Sequence, residues 1–146
     1  MKVLSTRFNN TTYLENRNWR KTNNFKGCLY SSPKRISTSI ALKEKIYVLE
    51  MNNDTNKIMG IGIINNEIYK PTKMYKINNL NRYTYKGNTR ISRHTLKKKS
   101  ITSLELFEKI LFYGKTHSKR LQGITKIPIS AIKDIDIFTH LEILIN

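Results

Sequence analysis

The sequence predicts an α+β fold built on a small, coiled, largely antiparallel β-barrel with flanking helices. Three observations predict it. Lys45–Met51 and Lys57–Ile64 are two β-branched, apolar runs joined by Asn52-Asn53-Asp54-Thr55-Asn56, whose Asn and Asp side chains bond their own backbone and tolerate left-handed geometry. A helical period over 103–113 follows a stretch of further short strands. The elements come in mixed order, with no alternating βαβ rhythm, which favours an antiparallel sheet. At 146 residues, with 38% hydrophobic side chains and no internal repeat or Pro/Gly/Ser linker, the chain is expected to form one domain spanning 1–146 with one modest core.

The elements follow in order. A strand opens the chain, and a polar helical stretch covers about 11–24. In the central hairpin, Met59, Ile61 and Ile63 share one face of the returning strand, while Ile58, Gly60, Gly62 and Ile64 share the other. Two glycines on one face suit barrel curvature, or the close approach of another backbone or a ligand. Arg82–Tyr85 and Thr89–Arg93, around the turn Lys86-Gly87-Asn88, read as a second hairpin, with Tyr83 and Tyr85 on one face. His94–Ser100 reads as a basic loop or short helix. Thr102-Ser103-Leu104-Glu105 has the pattern of a capping box. Leu104, Phe107, Ile110 and Leu111 then recur at helical spacing, and Gly114 suits the left-handed residue that ends a helix. Gly123–Ile127 reads as a strand before Pro128, Ser130 as the cap of a short helix from Ala131, and 135–145 fits helix and strand equally.

Charge narrows the function. Lys and Arg total 27 against 10 Asp and Glu, a formal +17. The excess is uneven: residues 1–39 carry +7, 40–67 carry −1, and 68–100 carry ten cations and no acid. Asn, Ile and Lys make up 55 of the 146 residues, a bias towards AT-rich codons typical of intracellular parasites and large DNA viruses. Whatever its origin, such a surface attracts polyanions. One stretch interleaves cations with aromatics: Tyr69, Lys70, Lys73, Tyr75, Lys76, Arg82, Tyr83, Tyr85, Lys86, Arg90 and Arg93. An earlier one does the same with Arg17, Trp19, Arg20, Lys21, Phe25, Lys26, Tyr30, Lys34 and Arg35. Cations neutralise phosphates and aromatic rings stack on exposed bases, so nucleic acid, RNA or DNA, is the expected partner. Acidic proteins are a second class of partner.

Other chemistries find less support. Cys28 is the sole cysteine, and the three histidines, His94, His117 and His140, form no ligand-type pair. The acids are scattered, whereas a divalent-metal nuclease clusters them. No Walker loop, nucleophile elbow or HExxH motif is present, so no metal, cofactor or catalytic residue is assigned. A metal-free ribonuclease using His94 and His117 in basic loops stays as an alternative. No apolar run approaches the roughly 20 residues of a membrane helix. The start of the chain turns polar too early for a secretory signal. The expected location is therefore intracellular, in host cytoplasm or nucleus, or in a virion.

Three stretches resemble the PUA-like superfamily, in particular its EVE and YTH domains. Gly27-Cys28-Leu29-Tyr30-Ser31-Ser32-Pro33-Lys34 resembles the glycine-to-aromatic segment that enters the family's ligand pocket. Lys45–Ile64 resembles its central hairpin, with Ile61-Gly62-Ile63 at the end. Leu121–Ser130 resembles its late strand, which ends in Pro and a Ser-capped helix. The resemblance implies a nucleic-acid-binding barrel that holds a flipped or modified base in an aromatic pocket. It places Tyr30, Ser31 and Ser32 near that pocket, with Trp19 and Tyr47 as walls. The chain departs from the pattern in having Tyr30 where the family more often has Trp, and in a longer, more basic 68–100. The phosphate contacts are assigned to Lys34, Arg35, Arg82, Lys86, Arg90, Arg93, Lys97, Lys98, Lys99, Lys115, Lys119 and Arg120, expected to form one continuous surface. The alternative is a basic viral structural or genome-packaging protein that binds without regard to sequence.

Overall fold

A computed structural model describes residues 2–146. The strands are β1 (Lys2–Phe8), β2 (Cys28–Ser32), β3 (Lys45–Asn52), β4 (Lys57–Asn65), β5 (Tyr83–Gly87), β6 (Thr89–Ser92) and β7 (Thr125–Lys126). The helices are α1 (Asn10–Thr22), α2 (Arg93–Lys99), α3 (Ile101–Phe112) and α4 (Ile137–Ile145). The class is α+β, as expected. Five strands form a sheet in the order β6-β4-β3-β1-β7, and β2 and β5 form a separate pair. All ladders are antiparallel except β1 with β3, which α1 and β2 bridge.

The five-stranded sheet divides the molecule. On one face Tyr47, Leu49, Met51 and Ile61 pack against Leu96, Phe107, Leu111, Leu141 and Leu144 from α2, α3 and α4. On the other, Leu4, Phe8, Ile46, Val48 and Ile64 meet Cys28, Leu29, Tyr30 and Tyr85 of the two-stranded sheet, with Tyr13 and Trp19 of α1 at the margin. Strand alternation explains the division, since Ile46 and Val48 point one way and Tyr47 and Leu49 the other.

The central hairpin forms at its expected place, with one change of register. Leu49 opposes Ile61 but Met51 opposes Ile58, so β4 carries an extra residue opposite Glu50. Ile58 therefore joins the helical side rather than sharing a face with Gly60, Gly62 and Ile64.

The second hairpin does not form. β5 pairs with β2 and β6 pairs with β4, with Asn88 alone between them. A two-residue loop is the usual minimum for a hairpin, and one residue is too short. The chain crosses between sheets here because Gly87 lies against the β4 backbone: a Cβ on it would sit 1.8 Å from the Ile63 carbonyl oxygen.

The helices begin where side chains cap them. Asn9 and Thr12 form a reciprocal capping box for α1. The box expected at Thr102 is replaced by Ser100, which accepts from the Ser103 N–H at 3.1 Å and also ends α2. Gly114 has φ +84°, the left-handed geometry expected after the helix. Residues 137–145 are helical, capped by Asp136. Ser130 caps nothing and lies in a 3-10 turn, Ile129–Ala131. The 115–123 loop is fastened by Arg7, which donates to the carbonyls of Ser5, Ser118 and Gly123. Among the described residues no helix is long and apolar enough to cross a membrane.

Candidate functional site

The site begins with a carboxylate buried beneath it. Glu50 is the lone acid in an apolar strand and is 2% exposed. It accepts from the Tyr30 hydroxyl at 2.6 Å and from two nitrogens of Arg90, Nε at 2.9 Å and Nη2 at 2.6 Å. A two-point guanidinium–carboxylate pair of this kind is geometrically specific. Nη2 also reaches the Tyr13 hydroxyl at 3.2 Å. Two glycines make room for these partners. A Cβ on Gly62 would lie 2.0 Å from the Tyr30 hydroxyl oxygen, and one on Gly60 would lie 2.7 Å from Arg90 Nη2. Of the approaches to this glycine face, one is by another backbone, the Ile91 carbonyl oxygen 2.8 Å from a Cβ on Gly60, and the others are by the Tyr30 and Arg90 side chains.

Above this hub lies a cleft of about 420 Å³ between the C-terminal half of α1 and β6. Tyr13, Arg17, Arg20, Lys21, Phe25 and Lys26 form its walls, with Arg90 also lining it and no carboxylate among the lining residues. Asn16, buried in α1, accepts from Arg20 Nε at 3.0 Å and donates to the Leu29 carbonyl at 2.7 Å, which orients Arg20 on the wall. Phe25 packs edge-on to Trp19 at 6.0 Å. Lys86 lies between two rings, its Nζ 5.0 Å from Phe25 and 4.8 Å from Tyr69. Beyond that stack lies a second depression of about 400 Å³ beside Tyr69 and Asn88, where Glu67 adds one acid.

The five residues assigned to an aromatic pocket do not line one space. Tyr30 is sealed in the core with its hydroxyl on Glu50, Tyr47 faces the helical side of the sheet, and Trp19 packs against Phe25. Ser31 bonds to Thr84 and Ser32 accepts from the Lys34 N–H. A cavity of only about 50 Å³ reaches Tyr30 and Ser31.

The cations expected to make one surface are divided by the sheet. Arg35 and Arg82 sandwich Tyr83 on the β2–β5 side, at 5.0 and 5.1 Å. Lys97, Lys98 and Lys99 ride on α2 in the helical layer across the sheet, where Lys99 donates to the Asn146 carbonyl oxygen. Lys115, Lys119 and Arg120 lie in the loop that packs against Asn53 at the end of β3. Arg93 pairs with Glu108 at 2.6 Å and donates to the Ile58 carbonyl, so it ties β4 to α3. Charge counts along a sequence do not carry this information, because consecutive segments of one basic block pack on opposite sides of a sheet. Tyr13 and Glu50 are the site residues that pattern reading missed. A solitary acid inside a strand of Ile, Val, Leu and Met was the available signal for Glu50.

His140 bonds Ser103 at 2.9 Å and His117 accepts from the Lys119 N–H, while His94 is exposed on α2. Among the described residues no three His, Cys, Asp or Glu side chains cluster in a way that could hold a metal ion. No protein-family model, curated protein or solved structure matches the chain.

Cys28 lies beneath the hub. Burial, and then the charge of Glu50, push its thiol from an ordinary 9.0 up to about 12. The same two causes raise the Tyr30 phenol. Both groups stay protonated in the fold but ionise earlier once unfolded. The Cys28 contribution is therefore complete below about pH 9 and is lost as pH rises towards about 12, and that of Tyr30 is lost in the same direction at higher pH. Burial lowers the Arg7 guanidinium to about 10, which opposes that loss in the upper part of the range. Urea midpoints are expected to fall above pH 9, and Cys28→Ala to flatten the first part of the fall. A thiol reagent should label native Cys28 at pH 8 far more slowly than the unfolded chain. Equal labelling rates would contradict the burial of this thiol.

Proposed function

We propose that the protein is a non-enzymatic nucleic-acid-binding module that engages phosphates on the side formed by α1, β5 and β6. The observation that supports this reading is the cleft. Five cations from α1, the following loop and β6 converge on one space that no carboxylate lines among the described residues, and only Arg90 of the five is paired, to the buried Glu50. Unmatched like charges held this close repel one another and favour a bound polyanion. The Phe25–Lys86–Tyr69 stack extends the cleft with rings and a cation in alternation, the composition that single strands use for stacking and charge neutralisation. Bases would stack at Phe25 and Tyr69 rather than at the sealed Tyr30. In the same reading the two sheets make an open barrel of the PUA-like type, supported by the close approach of Gly87 to Ile63.

The test is affinity for a labelled single strand as a function of salt. Log affinity is expected to fall with log salt by about 0.7 to 0.9 per phosphate engaged, and a flat dependence would remove the proposal. Replacing both Phe25 and Tyr69 with Ala should weaken binding by roughly 1–3 kcal/mol per base released from its stack.

A sequence-blind packaging role has one observation in its favour, the placing of cations on both sides of the sheet. Alanines at Lys97, Lys98 and Lys99 separate the two readings. Packaging requires that they weaken binding as much as alanines at Arg17 and Lys21 do, whereas the cleft reading requires that they leave it nearly unchanged.

A further inference from the structure

We propose that the cleft between α1 and β6 is a site for one nucleotide unit, seated by its phosphate on Arg90. The proposal deepens the nucleic-acid reading and rests on it. Arg90 is the feature that distinguishes the cleft from an ordinary cationic surface. Its side chain is only 9% exposed. Nε and Nη2 are committed to Glu50, and Nη2 also to Tyr13 and the Met59 carbonyl. Nη1 has no partner among the described residues, yet it is not one of the enclosed unpartnered atoms, so it meets the space that Arg90 lines. The guanidinium is thus locked by a buried carboxylate with one nitrogen left to donate.

Such an arrangement is preorganised. A guanidinium whose rotamer is already fixed loses little entropy when an oxyanion arrives, and its donor geometry suits phosphate. Arg17 and Lys21 are exposed and can close on the outer oxygens. The helix dipole accounts for some of this charge, since Arg20 and Lys21 occupy the last turn of α1. It does not account for Arg17 a turn earlier, for Lys26 beyond the helix, or for Arg90 from a different element. A volume of about 420 Å³ exceeds what a lone phosphate needs and lies within the range of small-ligand clefts. Tyr13 and Phe25 give the remaining space aromatic walls for a sugar and base.

The test uses the full chain labelled with ¹⁵N. A nucleoside 5′-monophosphate, the matching nucleoside and inorganic phosphate are titrated separately while the arginine Nε–Hε signals are followed. A short fluorescent single strand is titrated in parallel. The monophosphate is expected to shift the Arg90 signal and to bind more tightly than phosphate, with the nucleoside weakest. Because Arg90 substitutions would disturb the core, the variant is Arg17→Ala/Lys21→Ala on the exposed wall. It should weaken the monophosphate roughly tenfold or more, the loss expected for at least one charge-assisted hydrogen bond. If the strand binds but the monophosphate leaves Arg90 unmoved, the nucleotide site is overturned and the nucleic-acid reading stands. If the monophosphate binds at Arg90 and the strand does not bind, the site stands as a small-nucleotide site and the nucleic-acid reading falls. If neither binds, both are overturned.

Discussion

Replacing Glu50 with Ala is expected to destabilise the protein by about 3–5 kcal/mol, the usual cost of removing one member of a buried ion pair. The loss has two parts. Arg90 keeps its charge in a site where 9% of its side chain is exposed, and Tyr30 loses the acceptor for its 2.6 Å hydrogen bond. Against a total stability of about 5–15 kcal/mol for a domain, that is a large share of the whole. The measurement is a urea midpoint compared with wild type. A double variant, Glu50→Leu/Arg90→Met, separates stability from recognition. Exchanging both charges for apolar groups removes the unpaired charge and should recover much of the midpoint, as replaced buried pairs do elsewhere. Affinity for a single strand should nevertheless stay low, because the seated guanidinium is gone. A Glu50→Ala protein as stable as wild type would mean that the hub does not hold this part of the fold.

Gly62→Ala is the second large effect. The added Cβ would lie 2.0 Å from the Tyr30 hydroxyl oxygen and 2.7 Å from Cys28 Sγ. Neither neighbour can swing into solvent, since Tyr30 is 1% exposed and Cys28 is buried on β2. Overpacking costs about 1–3 kcal/mol. Displacing Tyr30 from Glu50 forfeits a hydrogen bond to a charged group, about 1.5–3 kcal/mol more. Together the two terms place the variant at about 2.5–6 kcal/mol below wild type. Tyr30→Phe removes the oxygen that collides, so Gly62→Ala/Tyr30→Phe should lose less than the sum of the two single changes. Additive losses would show that Tyr30 and Gly62 do not meet.

Some of the site is legible in the sequence. The interleaving of Arg17, Arg20, Lys21, Phe25 and Lys26 is visible in the chain, because a short basic helix and the loop after it keep sequence neighbours close in space. The Phe25–Lys86–Tyr69 stack was only half legible. Each residue belonged to a stretch singled out for its mixture of rings and cations, but their meeting depends on β5 pairing with β2 and on Tyr69 reaching the outer edge of β5 at Thr84. Tyr30 shows the opposite outcome. A tyrosine set among serines beside a basic segment looks available to a ligand, and its burial is settled by a glycine and a glutamate from other strands.

Local chemistry by itself determined the central hairpin, the amphipathic α3 and the net positive charge of the molecule. These depend on turn residues, apolar spacing and composition, each readable within a dozen positions or fixed for the whole chain. Tertiary structure alone decided that β5 and β6 would join different sheets, that Lys97–Lys99 would lie across the sheet from Lys86, and that Glu50 would lock Arg90 beneath the cleft. The physical reason is common to all three. Each is a pairing between residues distant in the chain, selected by which side chains and backbones can approach closely at Gly60, Gly62 and Gly87. That selection leaves almost no trace in the local pattern on either side.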